Sequence, residues 1–151
     1  AEVVADSGAN LGKLLTEAAS RDLGGLEFLF GVPGTVGGAV YGNAGAYKSS
    51  IGEYVKFVTL LIPNKKTKVF KIVKCRPDWL EFGYRQSRLK KMAAENSLNA
   101  AKPIILTVKL QLARGKSENI LDKMRKYLIL KKKNQPMDLP SAGSFFKNLG
   151  P

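Results

Sequence analysis

The sequence predicts a mixed α+β domain, and three observations carry that expectation. Two segments repeat apolar residues at helical spacing, and three others are β-branched or aromatic runs of strand length. Their order is strand, helix, loop, hairpin, strand, helix, without the strict alternation that builds a parallel βαβ sheet, so a Rossmann fold is not expected. At 151 residues the chain has room for one domain with a real core.

Val3-Val4-Ala5 is a short apolar strand, and Asp6, Ser7 and Gly8 turn the chain. Leu11, Leu14, Leu15, Ala18 and Ala19 then recur at i, i+3, i+4, i+7 and i+8, which places them on one buried helix face; Asn10 caps the start and Gly24-Gly25 ends the helix. Leu26, Phe28, Leu29 and Phe30 read as a buried anchor for the loop that follows. Tyr54 to Ile62 and Val69 to Val73 form a β-hairpin around Pro63-Asn64-Lys65-Lys66-Thr67, with Lys68, Lys71 and Lys74 on a solvated face. Lys90 to Lys102 is rich in alanine and lysine and reads as a short helix. Ile104 to Leu112 is a further strand, with Leu106, Val108, Leu110 and Leu112 on one side. From Glu118 to about Lys133 a second helix buries Ile120, Leu121, Met124, Tyr127 and Leu128. Glu118 and Lys131-Lys132-Lys133 complement its dipole, and Pro136 closes it.

Between the first helix and the hairpin lies Gly31-Val32-Pro33-Gly34-Thr35-Val36-Gly37-Gly38-Ala39-Val40-Tyr41-Gly42-Asn43-Ala44-Gly45-Ala46-Tyr47, with six of the fifteen glycines and no charged residue. A run without Cβ atoms lets the backbone approach a ligand, and Thr35 can cap a helical turn starting at Val36 that would aim N–H groups at an anion. That suits a diphosphate, although close packing would use the same composition. The spacing is neither G-x-G-x-x-G nor a P-loop. Gly115-Lys116-Ser117 lacks the earlier glycine, where Leu110 stands, and Ser117 reads as the cap of the last helix.

The glycine-rich run resembles the flavin-binding loop of the UDP-N-acetylenolpyruvoylglucosamine reductases, the MurB family. Gly83-Tyr84-Arg85-Gln86-Ser87 is similar to that family's Tyr-Arg-x-Ser motif, and Pro140-Ser141-Ala142-Gly143-Ser144-Phe145-Phe146-Lys147-Asn148 to its catalytic-serine motif. The three occur in family order. The resemblance implies the second half of a vanillyl-alcohol-oxidase/MurB-like FAD-binding domain over 1–136, and the beginning of a substrate-binding domain over 137–151. It also implies an interior piece, since a preceding Gly-Ser-Asn-type loop and a later catalytic glutamate belong to the family pattern. FAD and NADPH are the implied cofactors and a UDP-sugar the implied substrate. Val32, Pro33, Gly34, Thr35, Gly37, Gly38, Ala39, Gly45, Ala46 and Tyr47 would then contact the flavin nucleotide. Arg85 would steady charge on the substrate carboxylate and Ser144 would donate a proton, with Tyr84, Lys132, Lys147 and Asn148 on the substrate.

Composition narrows the alternatives. With no histidine and one cysteine, Cys75, the usual zinc sites, an internal disulfide and a Ser-His-Asp hydrolase are all excluded. No run of about 18 apolar residues or signal-peptide pattern is present, so a cytoplasmic protein, a monomer by expectation, is anticipated. The formal charge of +13 favours anionic partners. Dispersed basic residues and the lack of any nucleic-acid motif speak for a nucleotide over nucleic acid. Another flavin oxidoreductase of the same superfamily would share the glycine loop but lack the Tyr84-Arg85 and Ser141–Ser144 motifs; a non-catalytic basic binding domain would need neither.

Overall fold

The computed structural model describes residues 1–64, 69–95, 102–135 and 146. Its centre is an antiparallel four-stranded sheet in the order β1-β7-β5-β6, formed by β1 (Glu2–Asp6), β5 (Val55–Pro63), β6 (Phe70–Cys75) and β7 (Ile104–Gln111). Period-two alternation sends Val58, Leu60, Val108 and Leu110 to one face, where all are buried. The expected hairpin is β5 and β6, paired from Val58↔Cys75 to Pro63↔Phe70; residues 65–68 of its turn lie outside the described residues. Lys71 and Lys74 are both exposed, but three positions apart they point to opposite faces of β6, so the lysines do not form the single solvated face that was expected.

On the buried face lie α1 (Leu11–Ser20), α2 (Val36–Tyr41) and α5 (Ser117–Asn134), which enclose a core that includes Leu11, Leu15, Leu29, Val36, Val40, Ile120 and Met124. Asn10 caps α1 as expected, its Oδ1 accepting the Lys13 N–H at 2.9 Å. The helix, however, ends at Ser20 and not at Gly24-Gly25. Arg21 and Asp22 close it through N–H bonds to Ala18 and Ala19, Asp22 takes φ 59°, and Leu23–Gly24 become β2, paired with β8 (Ala113–Arg114). Nor does Ser117 cap the last helix. It is the first residue of α5, and its N–H is accepted by Asp22 Oδ1 at 2.8 Å, so the cap comes from 95 residues away. Within the stripe of α5 only Ile120 and Met124 are fully buried; Leu121, Tyr127 and Leu128 are half-buried.

Four short elements complete the frame of the site. A two-residue ladder joins β3 (Gly45–Ala46) to β4 (Ser49–Ser50), and after β6 come α3 (Pro77–Leu80) and α4 (Arg88–Glu95). The alanine- and lysine-rich segment is thus helical earlier than expected, from Arg88, because Ser87 caps α4 by accepting the Lys90 N–H at 3.3 Å. The expected domain boundary at 136/137 falls outside the described residues.

Candidate functional site

The glycine-rich run divides into three parts. Gly31 to Thr35 is a surface loop pinned by Lys131, whose ammonium donates to the Gly31 carbonyl; burial alone pulls the Lys131 pKa below its ordinary value. Pro33, Gly34 and Thr35 are exposed and Val32 is half-buried. Thr35 caps α2, its Oγ1 accepting the Gly38 N–H at 3.1 Å. The other leading donors of α2 already have partners within the fold. Val36 N–H reaches the Ala9 carbonyl at 2.9 Å and Gly37 N–H the Ser7 carbonyl at 2.8 Å. Among the described residues no hydrogen bond uses the N–H of Gly34 or Thr35, and a Cβ built on Gly34 meets nothing within 4 Å. Backbone donors open to an anion therefore lie just ahead of the helix. Gly37 serves close packing instead: a Cβ there would stand 2.7 Å from Ser7 Cβ. Ala39 points into the core.

The end of the run borders a cavity of about 840 Å³, lined on one side by Asn43 and Gly45–Ser50 and on the other by Pro77, Asp78 and Glu81–Arg85. Here the structure brings together Gly45, Ala46, Tyr47, Tyr84 and Arg85, residues up to 40 positions apart in sequence that were expected at one site. Both rims carry left-handed residues of the wrong type for easy turns. Tyr47 (φ 52°) and Lys48 (φ 66°) link β3 to β4, where Asn-Gly would be the unstrained choice. The Tyr47 ring packs on Tyr127 at 4.8 Å between centroids, and its hydroxyl donates to the Tyr127 carbonyl at 3.4 Å. Opposite, Gly83 and Gln86 exchange N–H···O bonds of 3.0 and 3.1 Å to close a turn whose third residue, Arg85, has φ 53°. Non-glycine residues in such conformations cost about 1–3 kcal/mol each and persist only where the surroundings hold them.

Charge in the cavity is only partly compensated. Glu53 is engaged by the Ser50 N–H and hydroxyl, and Glu81 by Arg88 and Lys91, both at 3.2 Å. Arg88 also stacks over Trp79 at 4.8 Å. Arg85, three residues earlier, has no carboxylate partner among the described residues, and its guanidinium stands 5.8 Å from the centroid of the exposed Tyr84 ring. A planar cation of fixed charge with no carboxylate partner among the described residues is suited to a carboxylate or phosphate.

Of the other expected residues, Lys132 is exposed on α5 and lines neither this cavity nor a second one of about 630 Å³ beside Gly24, Tyr54 and Lys123. Ser144, Lys147 and Asn148 lie outside the described residues. Sequence reasoning assigned no role to Asn43 and read Lys131 only as a charge at the end of the last helix. The side chain of Asn43 crosses the cavity wall, Nδ2 donating to the Gly83 carbonyl at 2.8 Å and Oδ1 accepting the Gly52 N–H at 3.0 Å. Its signal in the sequence is only a polar residue inside an otherwise uncharged, small-residue run. Among the described residues no cluster of three or more His, Cys, Asp or Glu side chains could hold a metal, and no helix is long and apolar enough to cross a membrane.

An antiparallel sheet covered on one face by helices, with a glycine-rich loop and short helix leading into a cavity, defines an α+β domain. It is the fold of UDP-N-acetylenolpyruvylglucosamine reductase (MurB) from Thermus caldophilus, which matches 97% of this chain with a TM-score of 0.77 at 33% identity, over 48% of that protein. The chain is homologous over nearly its whole length to the UDP-N-acetylenolpyruvoylglucosamine reductases. It is 42% identical to the enzyme so named from Thermotoga petrophila across 97% of the chain, and 36% identical to that from Clostridium tetani. The chain spans about half the length of the curated relatives it matches, 46% of the first and 43% of the second. No protein-family model matches it.

Proposed function

We propose that a protein containing this chain is an NADPH-dependent flavoenzyme that reduces the enolpyruvyl group of UDP-N-acetylglucosamine-enolpyruvate to UDP-N-acetylmuramate, a step of peptidoglycan synthesis. The observation that carries this reading is Arg85, an uncompensated guanidinium held on a strained turn at the cavity where the glycine-rich run ends. The carboxylate beside the substrate double bond gathers negative charge as hydride arrives. A guanidinium already in place lowers that barrier without reorganising. Tyr84 offers an exposed ring and hydroxyl beside it. Ser144, by its place in the serine motif, delivers the proton to the adjacent carbon.

The residues present fit a flavin nucleotide. Gly34 and Thr35 offer exposed backbone donors that no partner among the described residues uses, as a diphosphate requires, and Gly45–Tyr47 border the cavity. FAD, when bound, relays hydride from NADPH to the double bond. Cys75 is buried and burial pushes its thiol pKa up, which leaves it an inert packing residue.

The test is a chimaera in which this chain replaces the corresponding segment of the Thermotoga petrophila relative. Arg85→Lys keeps the charge but loses the bidentate fork, so kcat should fall more than KM rises. Unchanged kcat with weaker substrate binding would refute the transition-state role.

A further inference from the structure

We propose that Asn43 and Ser87 are positioning residues, a pair of clamps at the two ends of the Tyr84–Arg85 turn that fix it to the C-terminal end of α2 and so set where the Arg85 guanidinium stands. The inference rests on the role given to Arg85 above.

The described residues include three buried polar or charged side chains, Glu27, Asn43 and Ser87. Two of the three flank this turn. Burying a polar group costs free energy unless it finds a partner, and each polar atom of both side chains has one. Asn43 bonds the Gly83 carbonyl at the start of the turn. Ser87 follows Gln86 at its end, and its Oγ donates to the Tyr41 carbonyl at 2.6 Å while accepting from Lys90. Tyr41 is the last residue of α2, and Asn43 follows two positions later.

The two bonds between Gly83 and Gln86 close the turn on itself but do not locate it in the molecule. Location comes from the clamps, one at each end, both anchored to the three-residue stretch Tyr41–Asn43 at the C-terminal end of α2. They also supply what the left-handed Arg85 needs, a frame rigid enough to hold a conformation the residue would not choose. Asn43 is itself left-handed at φ 46°, which asparagine tolerates better than most residues. Its other arm reaches Gly52, where a Cβ would come within 2.8 Å of Oδ1 and 2.7 Å of the Phe82 ring. The glycine-rich run, the segment at Gly52 and the Arg85 turn thus meet on one side chain.

Asn43→Asp separates the arms, because it keeps an acceptor for Gly52 and removes the donor to Gly83. Ser87→Ala removes the opposite clamp. In the chimaera, each variant should unfold as a single transition and retain flavin reduction by NADPH, while the rate of flavin reoxidation by UDP-N-acetylglucosamine-enolpyruvate falls by about 10²-fold, the scale for a displaced catalytic group. KM should stay within about threefold, since substrate binding uses other contacts too. Either folded variant with normal reoxidation, or with both half-reactions slowed alike, overturns the proposal and makes the pair purely structural. If Asn43→Asp fails to fold, Ser87→Ala decides. Arg85→Ala is the control: normal turnover in it defeats the function proposed for Arg85, whereas a collapse there with normal clamp variants defeats only the inference about the clamps.

Discussion

Gly37 and Gly38 are neighbours in the first turn of α2, yet alanine at the two positions should move stability in opposite directions. Alanine gains at most about 1 kcal/mol over glycine in a helix interior, and no more than that in a first turn. At Gly37 the new methyl would stand 2.7 Å from Ser7 Cβ and 3.0 Å from the Ser7 carbonyl oxygen, which also accepts the Gly37 N–H at 2.8 Å. Backbone and β-carbon cannot swing away as the end of a flexible side chain can, so α2 must lift from the β1–α1 loop. Overpacking of this kind costs about 1–3 kcal/mol, and a stretched hydrogen bond adds about 0.5–1.5. Net destabilisation of about 1–3 kcal/mol follows, or a Tm lower by about 2–12 °C at ~2–4 °C per kcal/mol for a chain of this size. At Gly38 the methyl meets only Thr35 Oγ1, at 3.3 Å, on an exposed face. That substitution should be neutral or stabilising by up to about 1 kcal/mol. Thermal unfolding of the two variants by circular dichroism makes the comparison. Shifts of the same sign, or a stabilised Gly37→Ala, would refute the packing argument. The contrast also decides how the glycine loop is probed: flavin loss in a Gly37→Val chimaera would report a displaced helix, and in a Gly34 variant a strained backbone at φ 135°, whereas Gly38 reports binding.

Two further outcomes are expected. The Glu2 carboxylate pairs with Lys109 at 2.8 Å and Lys56 at 3.0 Å, which lower its pKa from 4.5 to about 2, Lys109 most. A depressed carboxylate stabilises above its unfolded pKa, so the difference in unfolding free energy between wild type and Glu2→Gln should be constant above pH 4.5 and vanish as pH falls through about 2. Because the group is exposed the difference should also shrink in about 1 M salt, and a difference that grows on acidification would contradict the pairing. In the chimaera, Ser144→Ala should leave flavin reduction by NADPH near normal and slow reoxidation by about 10²–10⁴-fold, read by stopped-flow absorbance; equal slowing of both halves would make Ser144 structural.

What was legible in the sequence was whatever depends on near neighbours. Asn10 and Thr35 cap their helices because an oxygen and an N–H three residues on need only local geometry, and both were foreseen. The hairpin and Ile104–Gln111 followed from alternation, except that a register shift between Thr59 and Leu60 buries Ile105 and leaves Leu106, expected on the core side, half-buried. The misplaced end of the first helix and the misassigned cap at Ser117 share one cause, Asp22. It leaves the helix in a left-handed conformation and caps a second helix far along the chain, and neither event shows in the spacing of either segment. The same limit governs the site. Tyr84 and Arg85 could be singled out by their order in a motif, but nothing local shows that Arg85 occupies a backbone conformation usual for glycine or asparagine, or that Tyr47 and Lys48 do so across the cavity. Local propensity argues against all three. Their conformations are imposed by tertiary contacts, Tyr127 on one rim and Asn43 with Ser87 on the other. Places where local preference loses to the fold are where strain is kept for a purpose, and here they face each other across one cavity. The failure of the sequence rules at Tyr47, Lys48 and Arg85 therefore supports the proposed site independently of the motifs that first suggested it.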